Sequence, residues 1–167
     1  MSEIPYGITV FCDDIRHEIN GKMMLIGCYS AEMNFNGPAP GVLPTFGALV
    51  NVRIPKGIRF GSFVLKVFKD DRDGTVEMFS VDAEVPEKTF EDIETLNDNG
   101  VTEGAEKVLS LSMPVQWSPL VLNGPGMIRV RVILDTGQEI RAGSLKINFS
   151  TSANPDDQAD EGEKAAS

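Results

Sequence analysis

Two runs of β-forming residues on either side of a turn signal occupy residues 8–29. They flank Asn20-Gly21, a dipeptide that readily accepts the positive φ angles of a type I′ turn, so the pattern predicts a β-hairpin. A two-residue loop there places Ile15 opposite Ile26. Because side chains alternate along each strand, one face of this hairpin is then apolar and the other mostly charged. The apolar face is predicted to carry Phe11, Ile15, Met24, Ile26 and Cys28, whereas Met23 shares the charged face.

The charged face of this hairpin is the candidate interaction face. Its polar members are Asp14, Arg16 and Glu18, joined near the tip by Lys22. One interpretation is a solvated face with weak ion pairs, each worth at most about 1 kcal/mol. The other is a docking face on which Arg16 forms a desolvated, bidentate pair with a carboxylate of a partner protein.

The rest of the chain alternates strand-like runs with turn clusters. In the clearest run, the residues predicted to face inward are Ile128, Val130, Val132 and Leu134. The run 75–85 is predicted to alternate Val76, Met78 and Ser80 against Glu77, Phe79 and Val81. Turn signals recur roughly every dozen residues, and helical periodicity is almost absent. We therefore expect an all-β fold, a single-domain antiparallel β-sandwich of the immunoglobulin-like kind with about eight strands, and a closed barrel is the second architecture.

The charge of the chain is strongly negative and unevenly distributed. Its 167 residues include 25 acids and 15 basic residues, a formal net charge of −10. The basic residues are scattered, which argues against a nucleic-acid partner. Residues 153–167 carry five acids and no large apolar side chain, so we expect a disordered acidic tail after a domain at 1–152. The absence of a long apolar run and of a secretory signal predicts a cytoplasmic protein with no membrane partner.

A second acidic stretch, residues 89–107, is predicted to be a long connection between two strands. Phe90, Ile93 and Leu96 fall at positions i, i+3 and i+6, which predicts one short amphipathic helical turn that holds the start of the loop on the domain. Loops of this length are usually functional or disordered. This stretch is therefore a candidate place for a partner or a cation to bind.

Few residues in the sequence carry reactive chemistry. His17, the only histidine, is expected beside Met24 on the inward face near the hairpin tip, as a boundary residue rather than a general base. Cys12 and Cys28 are expected to be reduced. The predicted register pairs Cys12 with Tyr29 and Cys28 with Asp13, so the two thiols point to opposite faces and cannot form a disulfide. Cys28 is then a small core residue.

The acidic turn at 70–74 has a superficial likeness to a calcium loop. Aligning Gly74 with the invariant glycine of an EF-hand puts Lys69 at the first ligand position and Ser80 where a glutamate is required, so the motif fails. Asp-rich clusters between strands are ordinary turn chemistry. We predict no catalytic residue, no metal and no cofactor, and hence no enzymatic activity.

The hairpin carries a motif of wider interest. It reads Cys12-x-x-Ile15-Arg16-x-Glu18-x-x-Gly21-Lys22-x-x-Leu25-Ile26-Gly27 and is followed by a proline-rich loop and Leu43-Pro44. This pattern resembles a group of small bacterial and phage-associated proteins of unknown function. The resemblance covers roughly the first third of the chain; it implies a β-sandwich and carries no mechanism.

Two functional hypotheses remain open from the sequence. In the first, the protein is a non-enzymatic sandwich that binds another protein or itself, as a phage-associated or accessory component. In the second, it is a ligand- or cation-binding domain, or an unrecognised enzyme, with its site in the loops 36–44, 70–74 and 89–107. The lack of a catalytic constellation in the sequence favours the first.

Overall fold

The computed structural model describes residues 4–96 and 108–150, and this part of the chain is almost entirely β-strand. The predicted all-β class is confirmed. The described residues form twelve strands rather than about eight, because strands of three to five residues were too short to recognise from their pattern. The elements are β1 Tyr6–Cys12, β2 Asp14–His17, β3 Met23–Ile26, β4 Glu32–Asn36, β5 Gly41–Leu43, β6 Phe46–Pro55, β7 Ser62–Asp71, β8 Gly74–Glu84, α1 Glu87–Leu96, β9 Val108–Trp117, β10 Leu120–Leu122, β11 Gly126–Leu134 and β12 Glu139–Ser150.

The strands form two larger sheets and two small ones. One larger sheet has the order β4-β12-β11-β7-β8 and the other the order β1-β6-β9; β2 pairs with β3, and β5 with β10. All pairs are antiparallel except β12 and β4, which run parallel. Each sheet of the described residues has a linear strand order with two edges, so none closes into the barrel that was the second predicted architecture.

Both larger sheets contribute to one hydrophobic core. In β11, the four residues predicted to face inward are all buried: Ile128, Val130, Val132 and Leu134. Val50 and Val52 of β6 belong to the same buried cluster. Removing a Val, Ile or Leu side chain from water stabilises the fold by roughly 1.5–3 kcal/mol. Alternate burial therefore fixes which face of each long strand points inward.

Strand β8 departs from its predicted alternation. Val67 of β7 pairs with Phe79, but the next residue, Phe68, pairs with Glu77, so Met78 is an extra residue in a β-bulge. A bulge shifts the side-chain alternation by one position. Val76 consequently lies on the same side as Phe79, not opposite to it as predicted.

Helix α1 begins three residues after the end of β8 and overlaps the first part of the acidic stretch 89–107. It spans ten residues, longer than the single turn predicted. Phe90 is buried against the ring of Phe60, with the centroids 5.5 Å apart, and this confirms that the start of the stretch is held on the domain. The predictions for 97–107 and for the tail 153–167 fall outside the described residues.

The substitution Phe90→Ala should destabilise the protein by about 3 kcal/mol, because it removes a buried aromatic ring and leaves a cavity. The free energy of unfolding from urea titration measures the effect. Lys88→Ala, which truncates an exposed side chain of the same helix, is the matched control and should change little. Equal stabilities of wild type and Phe90→Ala would mean that α1 does not pack on the core.

Candidate functional site

The β2–β3 hairpin turns through three residues, not two. The backbone N–H of Glu18 donates to the carbonyl oxygen of Lys22 at 2.8 Å, so Ile19, Asn20 and Gly21 form the loop. Asn20 and Gly21 have φ angles of 78° and 74°, a left-handed conformation that these two residue types accept most readily. The position of the turn was predicted correctly, and its length was wrong by one residue.

The additional loop residue changes which side chains share a face of the hairpin. Ile15 lies opposite Leu25, and Asp14 lies opposite Ile26. The predicted pairing of Ile15 with Ile26 is therefore wrong by one position. A one-residue shift in register moves every side chain of β3 to the other face relative to β2. Met24 and Ile26 share a face with the charged residues of β2 instead of with Ile15.

The base of the hairpin is attached to the three-stranded sheet. Ile15 is 4% exposed and fills the space above Gly47, where an added Cβ would lie 2.6 Å from Cγ1 of Ile15. The amide Nε2 of Gln116 donates to Oδ1 of Asp14 at 2.8 Å. The hairpin is thus held by an apolar contact to β6 and a hydrogen bond from β9.

A partly buried hydrogen bond joins the two chain segments at this base. The hydroxyl of Tyr29 donates to the carboxylate of Asp13, and burial, together with this carboxylate, raises the pKa of Tyr29. Gly27 has a φ angle of 66°, and a Cβ there would overlap the same carboxylate. A residue larger than glycine at position 27 would therefore disrupt the base.

The tip of the hairpin, in contrast, exposes apolar side chains. Ile19 is 88% exposed, Met24 46% and Met23 37%. The sequence did not indicate two of these exposed side chains. Met24 was predicted on the apolar, inward face, and Ile19 was assigned to neither face. The tip and the charged face together make this hairpin the candidate functional site.

The four residues of the predicted interaction face lie on the hairpin in two pairs. Nε of Arg16 lies 3.0 Å from Oδ2 of Asp14, and this hydrogen bond, with the one from Gln116, holds the pKa of Asp14 below its usual value. Glu18 and Lys22 face one another across the three-residue loop, both exposed. An ion pair near the surface, such as that of Arg16 with Asp14, contributes little to stability.

His17 lies opposite Met23 and is exposed. The expected neighbour Met24 is wrong, because the observed register differs from the predicted one by one residue. His17 lies on the same side of β2 as Ile15, since side chains alternate along a strand, but it is nearer the tip and exposed. In the part of the chain that the structure describes, no group of three or more His, Cys, Asp or Glu side chains is placed to hold a metal ion.

The two cysteines have burial opposite to that predicted. Both are free thiols, Cys12 buried and Cys28 exposed. Burial raises the pKa of Cys12 to about 11. Cys28 is therefore not the core residue that the sequence indicated.

The loop 36–44 includes β5, which pairs with β10.

In the turn 70–74, the carboxylate of Asp70 accepts hydrogen bonds from Nη2 of Arg129 at 2.7 Å and from Oγ1 of Thr75 at 2.6 Å. The hydrogen bond from Arg129 holds the pKa of Asp70 below its usual value. Asp71 accepts bonds from the backbone N–H of Asp73 and from Nζ of Lys69. The carboxylates of Asp70 and Asp71 therefore stabilise the turn through hydrogen bonds.

A cleft of about 640 Å³ lies beside the first turn of α1. The guanidinium of Arg59 lies 5.2 Å from the centroid of the Phe90 ring. The carboxylate of Asp135 accepts the backbone N–H groups of Gly61 and Ser62 at 2.8 Å and 3.0 Å. The cleft joins loops far apart in the chain, so no sequence pattern indicated it. Its lining residues are Arg59, Phe60, Gly61, Val85, Glu87, Phe90 and Asp135.

No protein-family model matches this sequence, and no curated protein matches it at a significant level. In residues 4–96 and 108–150, no helix combines the length and apolar character that crossing a bilayer requires.

The substitution Asp70→Asn should flatten the loss of stability at acidic pH. The folded pKa of Asp70 lies below its unfolded value of 3.8, so the stabilisation is complete above that value and is lost as the pH falls through the folded pKa. Urea titrations between about pH 5 and pH 2 measure the slope.

Asp73→Asn, which removes an exposed carboxylate from the same turn, is the control and should keep the wild-type slope. If Asp70→Asn also keeps that slope, the pair with Arg129 does not contribute to stability.

Proposed function

We propose that this protein is a non-enzymatic binding protein that docks onto a partner protein through its β2–β3 hairpin. The observation that carries the proposal is the exposed apolar tip at Ile19, Met23 and Met24 on a firmly attached base. Burying one such side chain contributes roughly 1.5–3 kcal/mol. Beside the tip, Arg16 is exposed and able to form a bidentate pair with a carboxylate of the partner.

The proposal includes an immunoglobulin-like β-sandwich as the scaffold. The three-stranded and five-stranded sheets share one buried cluster, as the layers of such a sandwich do. We also propose that the protein is cytoplasmic, related to the small bacterial and phage-associated proteins that its hairpin motif resembles, and acts as an accessory component. Its net charge of −10 argues against nucleic acid as the partner.

Cys12 and His17 both lack the surroundings that a catalytic group needs, and this supports a non-enzymatic role. Burial raises the pKa of Cys12 to about 11, which leaves little reactive thiolate near neutral pH. His17 is exposed on the hairpin, and a general base needs a positioned partner within a pocket.

The experiment compares proteins retained from an extract of the source cells by three immobilised forms of the full chain. These are wild type, Ile19→Asp, and Val121→Asp, which places the same charge on a half-exposed apolar side chain of β10. Ile19→Asp should lower the amount of a specific partner by about tenfold, as the loss of one buried side chain predicts. Quantitative mass spectrometry measures the retained partner.

Val121→Asp should retain the partner as wild type does. Equal retention by Ile19→Asp and wild type would remove the hairpin tip from the interface and contradict the proposal. Sedimentation velocity over a range of concentrations tests self-association in parallel, and there Ile19→Asp should shift any dimer towards monomer.

A second candidate function is binding of a small ligand, and the cleft beside α1 favours it. A volume of about 640 Å³ is in the range of small-molecule pockets, and Phe90 belongs to the predicted loop 89–107. An aromatic carboxylate would lie in the cleft against Phe60 and Phe90, beside the guanidinium of Arg59. Under this proposal, benzoate raises the melting temperature of wild type but not of Arg59→Ala; no shift for wild type would exclude this ligand class.

A further inference from the structure

The observed register brings the two cysteines together. The backbone N–H of Tyr29 donates to the carbonyl oxygen of Phe11 at 2.8 Å, and the N–H of Asp13 is shared between the carbonyl oxygens of Ile26 at 2.9 Å and Gly27 at 3.2 Å. Cys12 lies between Phe11 and Asp13, and Cys28 lies between Gly27 and Tyr29. The two cysteines therefore occupy directly opposed positions on neighbouring segments at the base of the hairpin.

Opposed positions of this kind have the spacing that a disulfide needs. Directly opposed residues on antiparallel segments have Cα atoms about 4.5–5.5 Å apart. Disulfides form when Cα atoms are about 4.4–6.8 Å apart. Cys28 also contributes to the raised pKa of Cys12, which is consistent with two neighbouring thiols.

The two thiols differ in access to solvent. Cys28 is exposed, whereas Cys12 is buried, with Sγ 3.7 Å from the carbonyl oxygen of Gly47. An added Cβ at Gly47 would lie 3.1 Å from that sulfur and within 3 Å of Ile15. A soluble oxidant consequently meets Cys28 first, and Cys12 is placed to react from the interior side.

We propose that Cys12 and Cys28 are an oxidisable dithiol at the base of the hairpin, with a hydroperoxide as the oxidant. The thiolate of Cys28 attacks the peroxide oxygen, the O–O bond breaks, and Cys28 becomes a sulfenic acid while hydroxide or alkoxide leaves. Sγ of Cys12 then attacks Sγ of Cys28, the S–O bond breaks, and the Cys12 proton leaves with the hydroxyl as water. Overall, two thiols lose two electrons and two protons, and the hydroperoxide is reduced to water and an alcohol, or to two waters.

The disulfide would fasten the end of β1 to the segment that follows β3. Those segments carry the hairpin into and out of the domain, so the cross-link fixes its base while leaving Ile19 at the tip free. This inference concerns the thiols alone and does not depend on the proposed binding function.

The test treats the reduced full chain with hydrogen peroxide and maps its thiols. The intact mass should fall by about 2 Da, for two hydrogens, and the thiol count should fall from two to none. Trypsin cleaves after Arg16 and Lys22, so a non-reducing digest should join peptide 1–16 to peptide 23–53. Dithiothreitol should restore both thiols.

Two variants separate this route from others. Cys12→Ala leaves Cys28 without a resolving thiol, so Cys28 should proceed to sulfinic acid or cross-link two chains. Cys28→Ser should leave the buried Cys12 reduced. If wild type gives only sulfinic acid or cross-linked chains, with Cys12 still reduced, the inference is wrong. The wild-type peptide map tests the inference even if Cys12→Ala fails to fold. Ile19→Asp should form the disulfide as wild type does, whether or not the tip binds a partner.

Discussion

Phe46 packs at the junction between the core and the hairpin, and the candidate site depends on its contacts. The side chain is fully buried, and its ring lies about 6 Å from those of Phe11, Tyr29 and Trp117. Phe11 precedes the hairpin and Tyr29 follows it. Aromatic contacts add about 0.5–1.5 kcal/mol each beyond the burial of their area. One buried ring therefore holds both ends of the projecting element against the three-stranded sheet.

This attachment explains how a short hairpin presents an apolar tip. A two-stranded hairpin alone is only marginally stable in water. Here Ile15 fills the space over Gly47, and Asp14 accepts a hydrogen bond from Gln116. A base that is already ordered reduces the entropy that must be lost when the tip binds. The same arrangement places the buried thiol of Cys12 beneath the hairpin and leaves Cys28 outside.

The acidic residues in the described part of the chain divide into those used by the fold and those facing solvent. Asp70 is bonded to Arg129 and Thr75, and Asp135 to the backbone N–H groups of Gly61 and Ser62 at the start of β7. Asp13 accepts the Tyr29 hydroxyl. Carboxylates with such partners organise loops and turns and are poorly suited to bind a cation as well. The proposed functions accordingly rest on apolar and aromatic surfaces, not on the many acids of the chain.

The features that depend on local pattern could be predicted from the amino-acid sequence. Alternation in β11 identified Ile128 and Val130 as core residues, and Asn20-Gly21 marked the turn, because these residue types accept left-handed backbone wherever they occur. The loop length did not follow, since the same dipeptide fits loops of two or three residues. Tertiary packing decided it, through Ile15 above Gly47 and the bonds at Asp13. That choice of one residue set the faces of β3 and brought Cys12 opposite Cys28, because side chains in a strand alternate with a period of two.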